Sequence, residues 1–294
     1  MPLANVNQTT LNYRLDGPEQ GPVVMLSNSL AANLTMWDFQ IPALVEAGYR
    51  VLRYDSRGHG QSAVPAGPYS IEMLAADAVG LMGMLGLEKV HFCGLSKGGM
   101  VGQMLGTHHG DRLISLTLCD TAAHLPPREV WNARIKTVRE NGMHALADAF
   151  IDRWFTKPGQ KRLHAEVEKV RQAILNTPVE GFCACCCAIQ EMDQRDSIRA
   201  ISTRTLVLVG EHDPGTPVSA AEFIHDRIAS SELRVISDAA HFVNVEQASV
   251  FNDLLLPFIG TSGAAKQPYV LEVAGSWGIV GKAPAGTFDH GRAD

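Results

Sequence analysis

The sequence lacks several features that would place it in a specialised class of protein. Positive charge is not in excess, since 25 Lys and Arg residues stand against 31 Asp and Glu residues, giving a formal net charge of −6. This balance argues against nucleic acid as a partner, because phosphate binding requires a basic surface. No stretch approaches the roughly 18 consecutive apolar residues that cross a bilayer, and the first residues do not form a basic, apolar leader. We therefore expect a globular cytoplasmic protein with no membrane partner.

Cysteine is scarce outside one short cluster. Of the six cysteines, four are Cys183, Cys185, Cys186 and Cys187. This crowding differs from the spaced framework of a small secreted disulfide protein. It also lacks the paired Cys-x-x-Cys elements of a structural zinc site. We predict reduced thiols that pack as small buried hydrophobic groups, and no metal site.

Short apolar runs alternate with longer helical patterns over much of the chain. Continuously apolar runs are typical of buried parallel strands, and the intervening helices cover the faces of such a sheet. The pattern predicts an α/β fold with a mostly parallel central sheet flanked by helices, including helices at 71–85 and 98–108. The predicted strands are 11–14 at a sheet edge, 23–28, 49–55, 90–95, 114–120, 203–210 and 233–237.

Strand patterns disappear between residues 121 and 201, where helical segments rich in Ala, Glu, Arg and Lys take over. This change predicts a helical cap, 121–201, inserted between two parts of the α/β core, 1–120 and 202–260. Such caps exclude water and shape the substrate pocket. Pro178 and Gly181 are expected to mark a helix boundary within the cap. The main cap helices are predicted at 131–141, 143–155 and 163–175.

The final segment, 261–294, is rich in Gly and Ala and has no evident role in the core. We expect it to be a poorly ordered C-terminal extension. The alternatives are a partner-binding segment or residual cloning sequence.

The strongest chemical signal is Gly94-Leu95-Ser96-Lys97-Gly98, which follows an apolar run and opens a helical one. A sharp strand-to-helix turn crowds the backbone, so small residues on either side of a serine allow its hydroxyl to stand above the sheet. The helix N-terminus then stabilises negative charge nearby. We predict that Ser96 is a nucleophile; the alternative is a chance glycine–serine turn.

A serine hydroxyl needs a base and an orienting acid to act as a nucleophile. Asp213 follows one apolar strand and His241 follows the next, so both should reach the edge at which parallel strands end. The chain order Ser96, Asp213, His241 predicts a catalytic triad. Two alternatives remain for the acid: Asp213 only initiates a turn, or Asp120, which ends an earlier strand, takes its place.

Two backbone N–H groups are needed to stabilise an oxyanion. The N–H of Lys97, directly after the nucleophile, is one predicted donor, and that of Leu30, in the loop after strand 23–28, is the other. Asn28 is predicted to brace this loop through its amide, with an ordinary asparagine turn as the alternative. The glycine-containing stretch 54–62 is expected to form a tight connection beneath the site.

These motifs resemble those of the α/β-hydrolases, and further segments resemble more narrowly the 3-oxoadipate enol-lactonases of aromatic degradation. The resemblance extends from the first strands to about residue 260. Its narrower features are 26–30, 36–38 with Gln40, 131–135, the cysteine-rich helix, 239–241 and 246–247.

The resemblance implies hydrolysis of the cyclic enol ester of 3-oxoadipate, a late step of the β-ketoadipate pathway. Ser96 would attack the lactone carbonyl with His241 as base and Asp213 orienting it, and a water activated by His241 would release the acyl group. The amides of Leu30 and Lys97 would hold the oxyanion. This chemistry requires no metal or organic cofactor, and the expected partner is a small-molecule lactone or ester.

The substrate of this family carries a free carboxylate, so the resemblance also implies a cation in the pocket. Arg134 is the first candidate, and Trp131 lies on the same helix face because residues three apart are neighbours there. Together with Asn28 they form the predicted substrate-binding set. The alternative is a solvated arginine and a tryptophan that packs the cap onto the sheet.

Two features depart from the family pattern. Lys97 stands where an apolar residue is expected, and its side chain is predicted either to alter the pocket charge or to reach solvent. Ala31 and Ala32 replace a glycine-containing pair. These departures leave open a carboxylesterase or a lactonase for another small ester, with perhydrolysis as a side activity, or a ligand receptor with little turnover. The sequence does not indicate an oligomeric state.

Overall fold

A computed structural model of the chain describes residues 2–125 and 127–260. The predicted C-terminal extension, 261–294, lies outside the described residues. The strands are β1 (Leu3–Val6), β2 (Thr9–Asp16), β3 (Val23–Ser27), β4 (Arg50–Tyr54), β5 (Val90–Leu95), β6 (Leu113–Cys119), β7 (Thr205–Gly210) and β8 (Ser231–Ile236). They form one eight-stranded sheet in the spatial order β1-β2-β4-β3-β5-β6-β7-β8.

Strands β3 to β8 run parallel to one another, whereas β2 pairs in the antiparallel sense with both of its neighbours, β1 and β4. Strands β3, β5 and β7 are buried along their whole length, which explains their continuous apolar sequences. The predicted α/β fold with a mostly parallel sheet is confirmed. Because parallel strands end at the same edge, the loops after β3, β5, β7 and β8 meet there.

The first part of the sheet corrects one expectation. The strand predicted at 11–14 is the longer β2, and it lies inside the sheet, because the edge position is taken by β1. The sequence pattern missed β1 because only Ala4 and Val6 of its four residues are buried. An alternating pattern with only two buried apolar residues is too short to distinguish a strand from a loop.

Within the described residues the α-helices follow a regular alternation with the strands, except between β6 and β7. They are α1 (Ile41–Glu46), α2 (Ile71–Met84), α3 (Lys97–His108), α4 (Arg128–Asn141), α5 (His144–Trp154), α6 (Lys157–Arg162), α7 (His164–Leu175), α8 (Val179–Glu191), α9 (Val218–Arg227), α10 (Val243–Glu246) and α11 (Ala248–Gly260). Helices α4 to α8, called the cap helices below, lie between β6 and β7. Helix α4 packs on α5 and α8, and α5 packs on α7.

Helix α8 begins at the boundary predicted at Pro178 but does not break at Gly181. Pro178 is the N-cap of α8, and Gly181 lies inside the helix and is buried. The reason is a direct backbone contact: a Cβ on Gly181 would overlap the carbonyl oxygen of Gly58, whose own φ is +76°. A glycine inside a helix here permits close packing on the core instead of ending the helix.

The cysteine cluster lies on α8. Cys183, Cys185 and Cys186 are buried, Cys187 is half-buried, and all four are free. Among residues 2–125 and 127–260 no single helix is long and apolar enough to cross a membrane; α7 and α8 meet that criterion only as a pair, which is bent by 92°.

Replacing Gly181 by alanine should destabilise the protein, because the new methyl group must displace backbone of the 55–62 loop. Overpacking of this kind costs about 1–3 kcal/mol of the free energy of unfolding. The measurement is urea unfolding, with Gly83→Ala as the control, because a Cβ at Gly83 on α2 meets nothing within 4 Å. Equal stability of the two variants would contradict the packing argument.

Candidate active site

The predicted nucleophile lies on a strained turn between β5 and α3. Ser96 has φ 56° and ψ −114°, and α3 starts at the next residue. A Cβ on Gly94 would overlap the carbonyl of Gly98, and a Cβ on Gly98 would overlap that of Ser27. Three hydrogen bonds hold the strained residue. Its N–H donates to the carbonyl of Cys119 at 2.8 Å, and its carbonyl accepts from the hydroxyl of Thr121 at 2.8 Å and from the N–H of Met100 at 3.0 Å.

The loops after β7 and β8 bring the other two predicted triad residues together. Nδ1 of His241 lies 2.7 Å from Oδ2 of Asp213, and both side chains are buried. Asp213 also accepts hydrogen bonds from the N–H of Gly215 at 2.7 Å, the N–H of Thr216 at 3.1 Å and the Thr216 hydroxyl at 2.5 Å. Burial alone would raise the pKa of Asp213, but the charge of His241 and these hydrogen bonds outweigh it and lower the pKa.

The rival acid Asp120 occupies a different position. It ends β6, and its Oδ1 accepts the N–H of Gly210 at 2.8 Å, whereas Asp213 accepts the hydrogen bond from His241. Single ligand atoms of Asp120, Asp213 and His241 lie within 4.8 Å of one another, a spacing that metal centres also use. The hydrogen bonds nevertheless pair His241 with Asp213, which matches a triad.

Packing from the cap supports the loop that carries His241. The N–H of Phe242 donates to the carbonyl of Trp154 at 2.9 Å, and the two rings stack at 4.3 Å between centroids. Buried Glu246 accepts hydrogen bonds from the N–H of Ala240 at 2.9 Å and from the hydroxyl of Thr156 at 2.5 Å. The cap is therefore part of the framework that orients the histidine.

The loop after β3 shows what Asn28 does. Its amide donates to the carbonyl of Tyr54 at 2.8 Å and accepts the indole N–H of Trp37 at 3.0 Å. Both ends of the amide are thus used to brace the loop, as predicted. Asn28 is not among the residues that line the cavity with Ser96, so its assignment to the substrate-binding set stays a prediction. Leu30, the predicted oxyanion donor in the same loop, does line that cavity.

At Ala31 the backbone shows why a glycine is expected in this loop. Ala31 adopts φ 56°, a left-handed conformation that favours glycine. Its N–H donates to Nε2 of buried His59 at 3.0 Å. Burial lowers the pKa of His59 well below its usual value, which keeps that nitrogen free to accept.

The side chain of Lys97 neither enters the pocket nor reaches solvent, which were the two predicted alternatives. It is 1% exposed, it does not line the cavity, and its Nζ donates to the hydroxyl of Ser56. The side chain instead passes beneath the site, toward the 55–62 loop. Burial lowers the pKa of Lys97, and nearby Cys185 and Asp55 only partly offset this effect.

Ser96 and His241 open onto a cavity of about 150 Å³ whose far wall is formed by the cap. Trp131 and Arg134, both predicted to contact substrate, lie in this wall, with the guanidinium of Arg134 4.4 Å from the centroid of the Trp131 ring. The indole N–H of Trp131 donates to the carbonyl of Leu125 at 3.0 Å. In residues 2–125 and 127–260, Arg134 has no carboxylate partner, and burial lowers its pKa.

Sequence reasoning missed two residues of this site. Arg153, at the end of α5, is exposed and lines the cavity, so it adds a second cation near Arg134. Its sequence position in a last helical turn is common to many surface arginines and gave no specific signal. Thr216 was detectable, because a hydroxyl three residues after Asp213 completes a turn that can bond the carboxylate.

A doubly wound sheet with a serine on a strand-to-helix turn and an aspartate-oriented histidine defines an α/β-hydrolase, here an ester hydrolase. Residues 22–142 match the family model described as alpha/beta hydrolase fold. The 3-oxoadipate enol-lactonase 2 of Acinetobacter baylyi is 40% identical over 82% of this chain and 90% of its own length. The chain belongs to the α/β-hydrolase family of the 3-oxoadipate enol-lactonases.

Two solved structures agree with this assignment. The enol-lactonase from Burkholderia xenovorans LB400 has a TM-score of 0.86 and 40% identity, and the match covers 88% of this chain and all of that one. An esterase from Thermogutta terrifontis has a TM-score of 0.80 and 33% identity, with coverage of 86% of this chain and 95% of the esterase. The shared architecture therefore includes both lactonases and esterases.

The buried ammonium of Lys97 should make stability depend on pH. Because burial lowers its pKa, the folded protein releases this proton at a lower pH than the unfolded chain, in which lysine titrates near about 10.4. The unfolded state then binds more protons in that window, so the free energy of unfolding rises with pH. Relative to Lys97→Met, the original protein should gain stability as the pH rises toward about 10.4, where the unfolded lysine titrates.

Urea unfolding at a series of pH values measures this difference. Lys136→Met is the control, since Lys136 is exposed on α4 and its variant should follow the original protein at every pH. Parallel stability curves for the original protein and Lys97→Met would show that the Lys97 pKa does not change on folding.

Proposed function

We propose that this chain hydrolyses 3-oxoadipate enol-lactone to 3-oxoadipate through an acyl-enzyme. The observation that carries the proposal is the guanidinium of Arg134, which lines the same cavity as Ser96 and His241 and has no carboxylate partner among the described residues. A half-buried cation without an anion is unfavourable. The free carboxylate of an enol-lactone substrate would complete the pair. The 40% identity to proteins named enol-lactonases supports the same reaction.

Acylation begins with attack by Ser96 on the lactone carbonyl. His241 accepts the serine proton, and Asp213 holds the imidazole through Nδ1 and stabilises the charge that it acquires. The N–H groups of Leu30 and Lys97 donate to the oxyanion. Collapse of the tetrahedral intermediate breaks the ring C–O bond, and protonated His241 gives its proton to the departing oxygen. The group released is an enol, which leaves more readily than an alkoxide and later becomes the ketone, and His241 is neutral again.

Deacylation uses the same residues in a second cycle. His241 removes a proton from water, which attacks the acyl ester, and then returns the proton to Ser96. Ring opening does not separate the substrate into two fragments, so the acyl-enzyme keeps the carboxylate on the same molecule. Contact with Arg134 can therefore persist through both steps and hold the ester near His241.

The carboxylate site is a composite of charge and aromatic surface. Arg134 lies over Trp131 at 4.4 Å and over Phe150 at 5.5 Å from the ring centroids. These rings restrict the guanidinium and leave its N–H edge for a ligand. Arg153 adds positive charge at the same cavity.

A second candidate function is hydrolysis of a different small carboxylic ester. The cavity wall also contains Met100, Phe150 and Ile189, which suit an apolar group, and the esterase from Thermogutta terrifontis has the same fold at 33% identity. This candidate predicts no preference for a substrate carboxylate.

Steady-state hydrolysis of three substrates distinguishes these functions: 3-oxoadipate enol-lactone, an uncharged lactone of similar size, and a short p-nitrophenyl ester. We expect kcat/KM to be highest for the enol-lactone and to be lost in Ser96→Ala, which lacks the nucleophile. A higher kcat/KM for either neutral substrate would favour the second candidate. Turnover that persists in Ser96→Ala would contradict the proposed mechanism.

Replacing Arg134 by glutamine should reduce binding of the charged lactone but not of the neutral ester. A charge-assisted hydrogen bond contributes about 1.5–3 kcal/mol, so KM for the enol-lactone should rise about tenfold to hundredfold. The control is Arg139→Gln on the same helix, where the exposed arginine pairs with Glu180 outside the cavity. Equal losses on charged and neutral substrates would indicate that Arg134 supports the cap rather than binding a carboxylate.

A further inference from the structure

Asp120 is a buried acid whose role the triad leaves unexplained. It is 0% exposed, it has φ 41°, and its Oδ1 accepts the N–H of Gly210. Its other oxygen, Oδ2, is buried and has no hydrogen-bond donor in the described structure. A buried carboxylate oxygen without a donor is costly. An ionised Asp120 would therefore be unfavourable at this position.

The candidate triad acid, Asp213, lies close to Asp120. Ligand atoms of Asp120, Asp213 and His241 lie within 4.8 Å of one another, and the nearby Asp213 carboxylate is one of the causes that raise the pKa of Asp120. Ionisation of two carboxylates this close together in a buried site is unfavourable, because their repulsion adds to the cost of burial. One proton shared between them removes the repulsion and gives Oδ2 of Asp120 a hydrogen-bond partner.

The surrounding donors determine which acid holds the proton. Asp213 accepts four hydrogen bonds, from Gly215, twice from Thr216 and from His241, and each favours its ionised form. Asp120 accepts one, from Gly210. The proton therefore belongs on Asp120.

The remaining charged and titratable groups around Asp120 act in the same direction. Buried Glu246 on α10 adds negative charge, although it is itself satisfied by the N–H groups of Ala240 and Thr156 and the Thr156 hydroxyl. The neighbouring thiol of Cys119 is buried, and burial raises its pKa well above its usual value, so it stays neutral. Burial, and next the charge of Asp213, also raise the pKa of Asp120 well above its ordinary value.

We propose that Asp120 is a protonated carboxylic acid that donates its Oδ2 hydrogen to Asp213 and so acts as a positioning residue for the triad. The proposal rests on the proposed function only in that Asp213 orients the base His241. The donated hydrogen bond fixes the Asp213 carboxylate behind the imidazole and makes it less basic. The two acids together carry one negative charge, which matches the single positive charge that His241 acquires when it takes the serine proton.

Substitution of Asp120 by asparagine imitates the proposed protonated state. The amide can still accept the N–H of Gly210 and donate to Asp213, whereas Asp120→Ala loses both contacts. We expect kcat to fall about tenfold or more in Asp120→Ala, with a smaller change in KM, and Asp120→Asn to recover most of that loss. A loss in Asp120→Asn equal to that in Asp120→Ala would overturn the proposal.

The pH profile gives a test that a purely structural role would not affect. The acid limb of kcat/KM reports protonation of the base in the free enzyme. If Asp120 is already neutral, Asp120→Asn removes no charge, and the acid limb stays at the same pH. If Asp120 is ionised, the substitution removes a negative charge beside His241, and the limb should move to lower pH by about one unit or more. Such a shift would overturn the proposal, as would activity lost to a chelator and restored by a divalent cation.

Infrared spectroscopy tests the proton directly and does not depend on turnover. The difference spectrum between the original protein and Asp120→Asn at neutral pH should contain the carbonyl stretch of a protonated carboxyl group. The control Asp148→Asn, which changes an aspartate with an 88% exposed side chain, should not remove this band. Absence of the band from the Asp120 difference would refute the proposal, even if the protein hydrolysed none of the substrates tested; its presence with no lactone hydrolysis would refute only the proposed function.

Discussion

The backbone turn at Ser96 is the constraint on which the rest of the site depends. Its left-handed φ is unfavourable for a serine, and it persists because β5, α3 and the hydroxyl of Thr121 hold it on both sides. The same turn brings α3 so close to β3 that there is no room for a Cβ on Gly98 beside Ser27. Since β3 and β5 are neighbours, the loop that carries Leu30 lies beside the start of α3. The candidate nucleophile and both candidate oxyanion donors therefore depend on one packing arrangement.

A buried polar layer beneath this turn maintains the loop geometry. Tyr54 holds Asn28, His59 holds Ala31 and Ser56 holds the side chain of Lys97, so the strand end and loop at 54–62 contact both sides of the predicted oxyanion hole. The loop is itself anchored by the ion pair of Arg57 with Asp77 and by the contact of Gly58 with Gly181 on α8. Hydrogen bonds are directional, so this layer specifies the backbone positions of the loops more closely than apolar packing would.

The sequence was most informative where a function depends on local geometry. The glycines around Ser96 and the placement of Asp213 and His241 after apolar strands are short-range signals, and the structure brings Asp213 and His241 into contact. The strand pattern was equally clear for β3 to β8, because buried parallel strands have long apolar runs. Contacts between distant segments were not readable: the partner of Lys97 is 41 positions away, and that of Gly181 is 123 positions away. For the same reason the sequence does not show that Oδ2 of Asp120 lacks a donor. This is seen only when the ends of β6, β7 and β8 lie side by side in the structure.

The charges of the cavity come from two different parts of the fold. The core supplies the acids behind His241, at the ends of β6 and β7, whereas the cap helices supply the cations Arg134 and Arg153. Catalysis needs negative charge behind the imidazole, and recognition of an anionic substrate needs positive charge in front of it. If the cations were on the core beside the triad, they would oppose formation of the imidazolium that the reaction requires. Placing them across the cavity on α4 and α5 keeps the two demands separate.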